Sequence, residues 1–506
     1  MNMNLFPEHI SVISGGNELT EQAAENEKIS VKITADGTVT VKSANVGVSF
    51  VKLFFKRVFS GSALIYGDCF ERGYGDLSWK EDRRDLLHWY FIAADGNSFY
   101  GYGVKTQPNA LCAWRVHDKE IELTCDVRNG TDKLQFKEEF PIAQLAFKTG
   151  SGNLHDFCRS FCNTMCDAPR SCRRPVFGAN DWYCNYGDSS AQKILRAAKF
   201  AVKCADGLPY KPFMVIDDGW QKNHDEDFNG GEWDEANDRF SDMAKLASDI
   251  DAAGAIPGIW FRPLQSKIQL PDECFSDREN LFLDPSHPKT LETVKNDIAR
   301  FYKWGFKLVK FDFVTYDIFY KWGFEIPENY FSAEKHFFDK TKTTAQIIKD
   351  FYKVIRSAAP DDLLLLGCNA IGHLAAGIID MQRTGDDTSG ESWERTRKMG
   401  VNTLAFRSMQ HGTFFDADAD CVGFTDKVPF EMSVRWLDVV SKSSTPLFVS
   451  VAEANETPQT ARAVAEAFNN AVFCRNISKP LDWLDSLTPH EWQSDMETDS
   501  YDWNTK

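Results

Sequence analysis

The sequence lacks the features of a secreted or membrane-spanning chain. No segment approaches the run of about eighteen uninterrupted apolar residues that a transmembrane helix needs. The N-terminus, MNMNLFPEHISVIS, has no basic stretch followed by an apolar core, so it does not resemble a signal peptide. These absences predict a cytoplasmic protein that has no membrane as a partner.

The sequence also contains fewer basic than acidic residues. The 57 Lys and Arg residues face 74 Asp and Glu residues, which gives a formal net charge of −17. Nucleic acids and anionic membrane surfaces are bound by clustered Lys and Arg, so we expect neither as a partner. The hydrophobic share of 43% is typical of a globular protein, and 506 residues exceed one ordinary core.

The thirteen cysteines show neither a dense disulfide framework nor a C-x-x-C metal signature, so we expect reduced thiols. Cys158, Cys162 and Cys166 recur every four residues, which places them on one face of a helix. A metal site there is one reading, but His155 is the only imidazole nearby. Core packing is the simpler reading, because cysteine is a common small buried residue. We predict no metal and no cofactor.

Residues 1–150 read as antiparallel β structure. Lys28–Val41 alternates polar and apolar residues around an Asp-Gly turn, which predicts a hairpin. Further β-rich runs follow without helices between them, so we predict an N-terminal β-sandwich over 1–150. The segment Glu71–Trp79, ERGYGDLSW, has no periodicity. A surface loop is the simpler reading of it, and a loop that reaches a neighbouring site is the alternative.

The pattern changes after residue 150. A helical linker is expected over 151–172, and short apolar runs then alternate eight times with amphipathic segments. Eight such units predict a (β/α)8 TIM barrel as the catalytic domain over 173–478, followed by an acidic C-terminal tail over 479–506. The predicted barrel strands are Val176–Trp182, Phe213–Asp217, Ile256–Phe261, Lys307–Phe313, Leu363–Cys368, Asp380–Arg383, Thr413–Phe415 and Pro446–Val451.

Polar side chains follow nearly every predicted barrel strand, at the end where the active site of such a barrel lies. Helix capping explains one Asp or Asn, but not recurrence at seven strand ends with Trp alongside. In strand order, the residues are Asn180, Asp181, Trp182 and Tyr183; Asp217, Asp218 and Trp220; Trp260 and Arg262; Lys310 and Asp312; Cys368 and Asn369; Arg383, Asp386 and Asp387; Asp416, Asp418 and Asp420.

Carboxylates beside Trp side chains indicate glycoside chemistry, in which one Asp attacks the anomeric carbon and a second acid protonates the leaving oxygen. Asp312 suits the nucleophile, because the ammonium group of Lys310 on the same strand face would keep it ionised. An acid from strand six would face it across the barrel mouth. A purely structural Lys310–Asp312 ion pair is the alternative.

Four strings carry a resemblance to a known family. VIDDGWQ (215–221), GIWFRPL (258–264), LVKFDFV (308–314) and QRTGDDTSGESW (382–393) resemble the barrel motifs of the melibiase-type enzymes. These are the retaining α-galactosidases and α-N-acetylgalactosaminidases of glycoside hydrolase families 36 and 27. The sandwich before the barrel is similar to family 36, whereas the R-x-x-x-D spacing from Arg383 to Asp387 is more similar to family 27.

The resemblance implies roles for individual residues. Asp312 corresponds to the nucleophile and Lys310 to a lysine that binds a sugar hydroxyl. Asp387 corresponds to the acid/base, with Asp386 as the competing choice. The other residues that we expect to contact the substrate are Trp182, Asp217, Asp218, Trp220, Trp260, Arg262, Cys368, Asn369 and Arg383.

Two departures leave the sugar open. Family 36 usually has Glu where Arg262 stands, and the strand-five loop, normally Gly-rich or C-E-W, reads CNAIGH from Cys368 to His373. Arg262 either grips an anionic substituent or pairs with a nearby Asp. From the resemblance we also expect the C-terminal β domain that is usual in these families to be missing.

The sequence therefore predicts a retaining exo-α-glycosidase that hydrolyses a terminal α-linked, galactose-configured sugar through a covalent glycosyl-aspartate. Its expected partner is a small oligosaccharide or glycoconjugate, and oligomerisation is left open. The alternatives are a raffinose-synthase-like galactosyl transferase, an α-N-acetylgalactosaminidase and a non-catalytic sugar-binding barrel. A metal-dependent barrel enzyme is another alternative, with Asp217, Asp416, Asp418 and Asp420 as ligands.

Overall fold

The computed structural model describes residues 6–72, 77–81, 85–225, 227–495 and 497–504. Its N-terminal part is antiparallel, as predicted, and contains one short helix, α1 (Glu21–Asn26). The strands are β1 (His9–Ser14), β2 (Asn17–Thr20), β3 (Ile29–Ile33), β4 (Thr38–Ser43), β5 (Phe50–Lys56), β6 (Leu64–Asp68), β7 (Leu87–Asp95), β8 (Ser98–Val104), β9 (Leu111–Val116), β10 (Glu120–Asp126) and β11 (Phe140–Gly150).

All eleven of these strands belong to one hydrogen-bonded sheet in the order β2-β1-β5-β10-β9-β7-β8-β11-β4-β3, and β6 is attached to β7. The predicted hairpin is confirmed as β3 and β4. The finer prediction, a sandwich of two sheets, is not confirmed, because strand pairing connects every strand into one sheet.

The second half of the chain is built on a parallel sheet that resembles a TIM barrel. The sheet has the order β20-β19-β18-β17-β14-β13-β12-β22-β21. The strands of this half of the chain are β12 (Phe177–Asn180), β13 (Phe213–Ile216), β14 (Ile256–Phe261), β15 (Phe275–Asp277), β16 (Phe282–Leu283), β17 (Leu308–Phe311), β18 (Leu364–Gly367), β19 (Met381–Arg383), β20 (Asp416–Asp418), β21 (Cys421–Phe424), β22 (Leu447–Val451), β23 (Lys479–Pro480), β24 (Glu491–Gln493) and β25 (Thr498–Ser500).

Seven of the eight predicted barrel strands are confirmed, but the seventh is wrong. It begins at Asp416 rather than at Thr413, and two residues separate its halves β20 and β21. Thr413 instead lies in the turn that follows the helical turn Ser408–Gln410, and its hydroxyl donates to the carbonyl oxygen of Met409 at 2.9 Å. The sequence Asp416-Ala417-Asp418 does not have the pattern of a buried strand, because carboxylates are rarely placed inside a core.

Helices alternate with the strands and cover the outside of the parallel sheet. The helix Ala191–Cys204 is continuous, whereas the helical stretch over 393–407 is interrupted by a π-helical segment, Arg397–Asn402. The helices are α2 (Leu154–Met165), α3 (Trp182–Asn185), α4 (Ala191–Cys204), α5 (Met243–Ala252), α6 (Pro288–Trp304), α7 (Val314–Phe319), α8 (Thr344–Ala358), α9 (Gly372–Ala375), α10 (Trp393–Thr396), α11 (Thr403–Arg407), α12 (Phe430–Ser441) and α13 (Pro458–Phe473). None of the helices in the described residues is long and apolar enough to cross a membrane.

The segment expected to be a tail forms a small antiparallel sheet from β23, β24 and β25. Its residues Trp492 and Trp503 are buried. The ring of Trp503 stacks on that of Trp393, with the centroids 6.0 Å apart, so aromatic packing holds the end of the chain against the parallel sheet.

A buried asparagine joins the N-terminal sheet to the second half of the chain. The side-chain amide of Asn129 donates to the carbonyl oxygens of Asp339 and Lys342, at 3.0 and 2.8 Å. Its side-chain oxygen accepts from the backbone N–H of Phe337 at 2.8 Å. Asn129 is 1% exposed, so water cannot replace these bonds.

We expect Asn129→Ala to destabilise the protein by about 2–4 kcal/mol, because it leaves buried polar groups of the backbone without partners. The midpoint of urea unfolding measures the loss. The matched control is Asn163→Ala, since Asn163 is exposed on α2 and its loss should leave the midpoint nearly unchanged. Equal midpoints for Asn129→Ala and the wild type would contradict the role of Asn129 in holding the N-terminal sheet to the second half of the chain.

Candidate active site

Asp312 follows β17 at the carboxyl end of the parallel sheet, and neutral donors hold both of its side-chain oxygens. Trp260 donates its indole N–H to Oδ2 at 3.1 Å. Asn369 donates its side-chain amide to Oδ1 at 2.6 Å, and the backbone N–H of Phe313 donates to the same oxygen. Among the residues that the structure describes, no cation binds this carboxylate directly, so neutral hydrogen bonds fix its orientation.

Lys310 pairs with Asp217 rather than with Asp312. The Nζ–Oδ2 distance is 2.8 Å, and both side chains are buried. Asn180 donates to the same carboxylate oxygen at 2.6 Å. Burial lowers the pKa of Lys310, but the acidic groups around it, of which Asp217 contributes most, together outweigh burial and hold that pKa well above its usual range. These contacts thus join the ends of β12, β13 and β17 beside Asp312.

The DD doublet, which is Asp386 and Asp387 after β19, lies among arginines. Arg383 approaches Asp387 at 3.4 Å and Asp420 at 2.8 Å. Asp386 pairs instead with Arg395 at 3.1 Å. Burial would raise the pKa of Asp387, but the charges of nearby arginines, of which Arg383 is one, outweigh burial and hold the pKa well below its usual range. Asp387 is therefore ionised in this arrangement.

The other arginine of this group, Arg72, was not predicted from the sequence; it lies in the turn four residues after β6 of the N-terminal sheet. Its Nη2 lies 2.9 Å from Asp387 Oδ2, and its Nε contacts Asp386. Its guanidinium group stacks over the ring of Trp322 at 4.1 Å. The aperiodic segment ERGYGDLSW was the signal for this contact, and the alternative of a loop that reaches a neighbouring site is correct for its first two residues. Residues 73–76 of that segment lie outside the described residues.

Glu71 enters the mouth of the sheet next to Arg72. Its carboxylate accepts from the side-chain amide of Gln382 at 2.6 Å and from the backbone N–H of Ala370 at 3.3 Å. The thiol of Cys368 lies 3.8 Å away. Burial raises the pKa of Glu71 to about 8, so Glu71 is largely protonated at neutral pH.

Two of the predicted tryptophans occupy different environments. Trp260 is at the site through its bond to Asp312. Trp220, in contrast, is completely buried against Trp233 and Phe301, and its indole N–H donates to the carbonyl oxygen of Trp260. The structure therefore does not bring Trp220 to the site. Its packing fixes the backbone of β14 instead.

Arg262 is occupied by a carboxylate of this chain. Asp317, five residues after Asp312, binds its Nη2 and Nε, and Asn229 contacts its Nη1. The guanidinium group also lies over the ring of Phe313 at 4.2 Å. Burial raises the pKa of Asp317 to about 6 despite the nearby arginine. Of the two readings of Arg262, the contacts favour the internal pair.

Trp182 and Asp218 border an open groove beside Asp217. Trp182 is half-buried, and its ring meets that of Tyr186 edge-on at 5.6 Å. Asp218 accepts from the side-chain amide of Gln221 at 2.7 Å. The groove has a volume of about 610 Å³, and Trp182 and Asp218 are both on its wall.

The carboxylates of strand seven do not converge on one point. Asp420 binds Arg383 and both the hydroxyl and the backbone N–H of Thr388. Asp416 accepts from the backbone N–H of Cys172, at the amino end of the sheet. Among the residues that the structure describes, no group of His, Cys, Asp and Glu side chains could hold a metal ion. Cys158, Cys162 and Cys166 are buried along α2.

A cavity of about 760 Å³ lies at the opposite end of the sheet. It is lined by the residues where strands begin, including Phe213, Ile256 and Leu364. Neither Asp312 nor Asp387 lines it, so cavity size does not identify the reactive end. The polar side chains that converge around Asp312 instead indicate the carboxyl end of the sheet as the candidate site.

The raised pKa of Glu71 makes stability depend on pH. An unfolded Glu titrates near 4.5 and Glu71 near 8, so its contribution is complete below pH 4.5 and is lost as the pH rises through 8. The loss is on the order of 4 kcal/mol.

We expect Glu71→Gln to lose less stability than the wild type between pH 5 and pH 8, as measured by thermal unfolding. The exposed control Glu138→Gln should follow the wild type, and parallel curves for all three proteins would refute the assignment.

A scan of the sequence against models of known protein families finds no match. Solved structures do match the fold. The α-galactosidase TtGalA from Thermus thermophilus, in complex with p-nitrophenyl α-D-galactopyranoside, matches with a TM-score of 0.62 and 16% identity over 98% of this chain and 99% of that chain. The GH36 α-galactosidase AgaA from Geobacillus stearothermophilus has a TM-score of 0.61 and 14% identity over 90% and 68% of the two chains. For the galactosidase domain of the α-galactosidase-sucrose kinase AgaSK, the values are 0.58 and 15% over 93% and 70%. The chain therefore has the fold of these α-galactosidases.

Proposed function

We propose that this protein is a retaining exo-α-glycosidase that hydrolyses a terminal α-galactoside through a covalent intermediate on Asp312. The observation that carries the proposal is the setting of Asp312, whose carboxylate is held by Trp260 and Asn369 at the mouth of the sheet. A nucleophile needs a carboxylate that is fixed in orientation next to the anomeric carbon. The Lys310–Asp217 pair beside it offers polar groups for sugar hydroxyls.

The galactose configuration is supported by the structural neighbours. One is solved with p-nitrophenyl α-D-galactopyranoside, and others with stachyose and raffinose. We extend the sugar class to this chain because the fold is shared and the Asp217, Lys310 and Asp312 set lies together at the same end of the sheet. The proposed substrate is accordingly a small oligosaccharide or glycoconjugate.

The proposed reaction has two steps. In the first, Asp312 attacks the anomeric carbon and forms a glycosyl ester, the bond to the leaving oxygen breaks, and Asp387 gives that oxygen a proton. In the second, Asp387 takes a proton from water, the water oxygen attacks the anomeric carbon, and the ester to Asp312 breaks. The two displacements return the sugar with its original configuration.

Asp387 must carry a proton before the first step, yet Arg72 and Arg383 hold it ionised. We propose that the Arg72–Asp387 contact loosens when the leaving oxygen enters, because the loss of a 2.9 Å ion pair raises the pKa of the carboxyl group. Arg383 and Arg72 then favour the ionised form again once the proton has been given up. Arg72 acts here as a positioning residue for Asp387.

We also propose the finer architecture. Because β20 pairs with β19 and β21 pairs with β22, strand seven can close the parallel sheet into a (β/α)8 barrel over 173–478. The N-terminal sheet over 1–150 would fold over into a sandwich, which accounts for the burial of consecutive residues such as Tyr90 and Phe91. The free cysteines of the chain support a reducing, cytoplasmic location.

We expect the wild type to hydrolyse aryl α-galactosides and Asp312→Asn to lose about a thousandfold or more in kcat, because the amide is a poor nucleophile. A panel that includes aryl α-N-acetylgalactosaminide and α-glucoside checks the sugar, and NMR of the first-formed anomer checks retention. The matched control, Asp416→Asn, removes a carboxylate charge at the amino end of the sheet and should remain active. Normal turnover by Asp312→Asn would disprove the nucleophile.

We expect Arg72→Met to raise the pKa of Asp387 and to shift the basic limb of the kcat/KM profile to higher pH, because the proton donor then stays protonated longer. The control is Arg395→Met, since Arg395 pairs with Asp386. A larger shift for Arg395→Met than for Arg72→Met would instead favour Asp386 as the acid/base.

A further inference from the structure

The cavity at the amino end of the parallel sheet takes no part in the proposed reaction. Its volume of about 760 Å³ lies within the range of about 300–1,000 Å³ that small-molecule sites span. Phe213, Ile256 and Leu364 form its floor, where β13, β14 and β18 begin. They belong to an apolar cluster that continues between the strands through Val215 and Leu366. Packed side chains therefore separate this floor from the candidate active site.

The protein itself does not cover the floor completely. Ile256 and Leu364 are only half-buried, although each is the first residue of a strand in the interior of the sheet. Cys172 and Trp304 add more half-buried apolar surface to the wall of the cavity. Apolar surface that stays open in a concave site favours a ligand with an apolar body, because covering that surface releases water.

Cationic side chains surround the apolar floor. The chain as a whole carries a formal net charge of −17, but the cavity wall holds more cations than carboxylates. The cations are Arg170, Arg173, Arg174, Lys211 and Lys307, and the carboxylates are Asp251, Asp361, Asp362 and Asp380. The wall therefore has a local surplus of positive charge, which favours an anionic ligand.

Most of these charges are already paired within the wall. Three ion pairs join its charged groups, with N–O distances of 2.9, 2.9 and 2.8 Å: Arg170–Asp380, Lys211–Asp251 and Lys307–Asp362. In the described part of the chain, Arg173, Arg174 and Asp361 have no ion pair. Arg173 and Asp361 are exposed to water, whereas Arg174 is half-buried. Arg174 is therefore the unpaired cation that a ligand inside the cavity would meet.

The guanidinium group of Arg174 is positioned to bind an anion. It lies over the ring of Phe213 at 5.0 Å, and stacking of this kind uses the face of the group and leaves its N–H edge for an acceptor. Burial lowers the pKa of Arg174, yet an arginine stays cationic at neutral pH. A partly desolvated cation without a carboxylate partner is costly, and a bound anion would relieve that cost.

We propose that the amino end of the parallel sheet binds a small amphipathic anion. Its apolar body would cover Phe213, Ile256 and Leu364, and its carboxylate, sulfonate or phosphate group would accept hydrogen bonds from Arg174. The ligand has no contact with the proposed sugar site, so this inference stands whether or not the protein is a glycosidase.

Two dyes that share one apolar body test the proposal. Anilinonaphthalene sulfonate carries an anionic group, and N-phenylnaphthylamine has the same ring system without it. In a fluorescence titration we expect Arg174→Met to weaken the Kd of the sulfonate about tenfold and that of the neutral dye less than about twofold, because only the sulfonate meets the guanidinium group. The matched control is Arg278→Met. Arg278 also lies over a phenyl ring, that of Phe275 at 4.2 Å, but it does not line the cavity, so both Kd values should stay unchanged.

A second variant tests where the dyes bind. Ser248 is exposed on α5 and lines the cavity, so the indole of Ser248→Trp would fill the space and should weaken the binding of both dyes more than about fivefold. Because Ser248 is exposed, this variant decides the outcome alone if Arg174→Met does not fold. Equal losses of both dyes in Arg174→Met, an unchanged Kd of the sulfonate in Ser248→Trp, or no binding of the sulfonate to the wild type would each overturn the proposal.

Discussion

Balancing buried charge at the mouth of the parallel sheet is the constraint on which the rest of the structure depends. An unpaired buried carboxylate costs several kcal/mol, so each one must find a cation or strong donors. Lys310 neutralises Asp217, and Arg383 reaches both Asp387 and Asp420. Lys310 and Asp217 come from the ends of different strands, as do Arg383 and Asp420, so these pairs also fix the strands relative to one another.

The same balance gives the two proposed reacting carboxylates different properties. Asp312 receives its hydrogen bonds from neutral donors, which orient the charge without cancelling it. Asp387 lies between guanidinium groups, which stabilise the charge that it acquires after giving up a proton. Carboxyl groups whose surroundings differ in this way can divide nucleophilic and acid/base work between them.

The sequence predicted those parts of the fold that depend on local pattern. Apolar runs located seven strands, and a K-x-D string within one of them singled out Asp312. The sequence could not predict that Arg72 and Glu71 reach the candidate site. The contacts of Arg72 with Asp386 and Asp387 join residues more than three hundred positions apart. Trp220 was misplaced for a different reason. An indole after a strand looks the same in sequence whether it faces a ligand or packs in the core.

The origin of Arg72 in the N-terminal sheet has a consequence for the two halves of the chain. Without that sheet, Asp387 would lose the Arg72 charge, which is one of those that hold its pKa below the usual range. The carboxyl group of Asp387 would then bind a proton more readily. Joining the two halves of the chain therefore favours the ionised form of Asp387, so the contact between the halves and the protonation of Asp387 are thermodynamically linked.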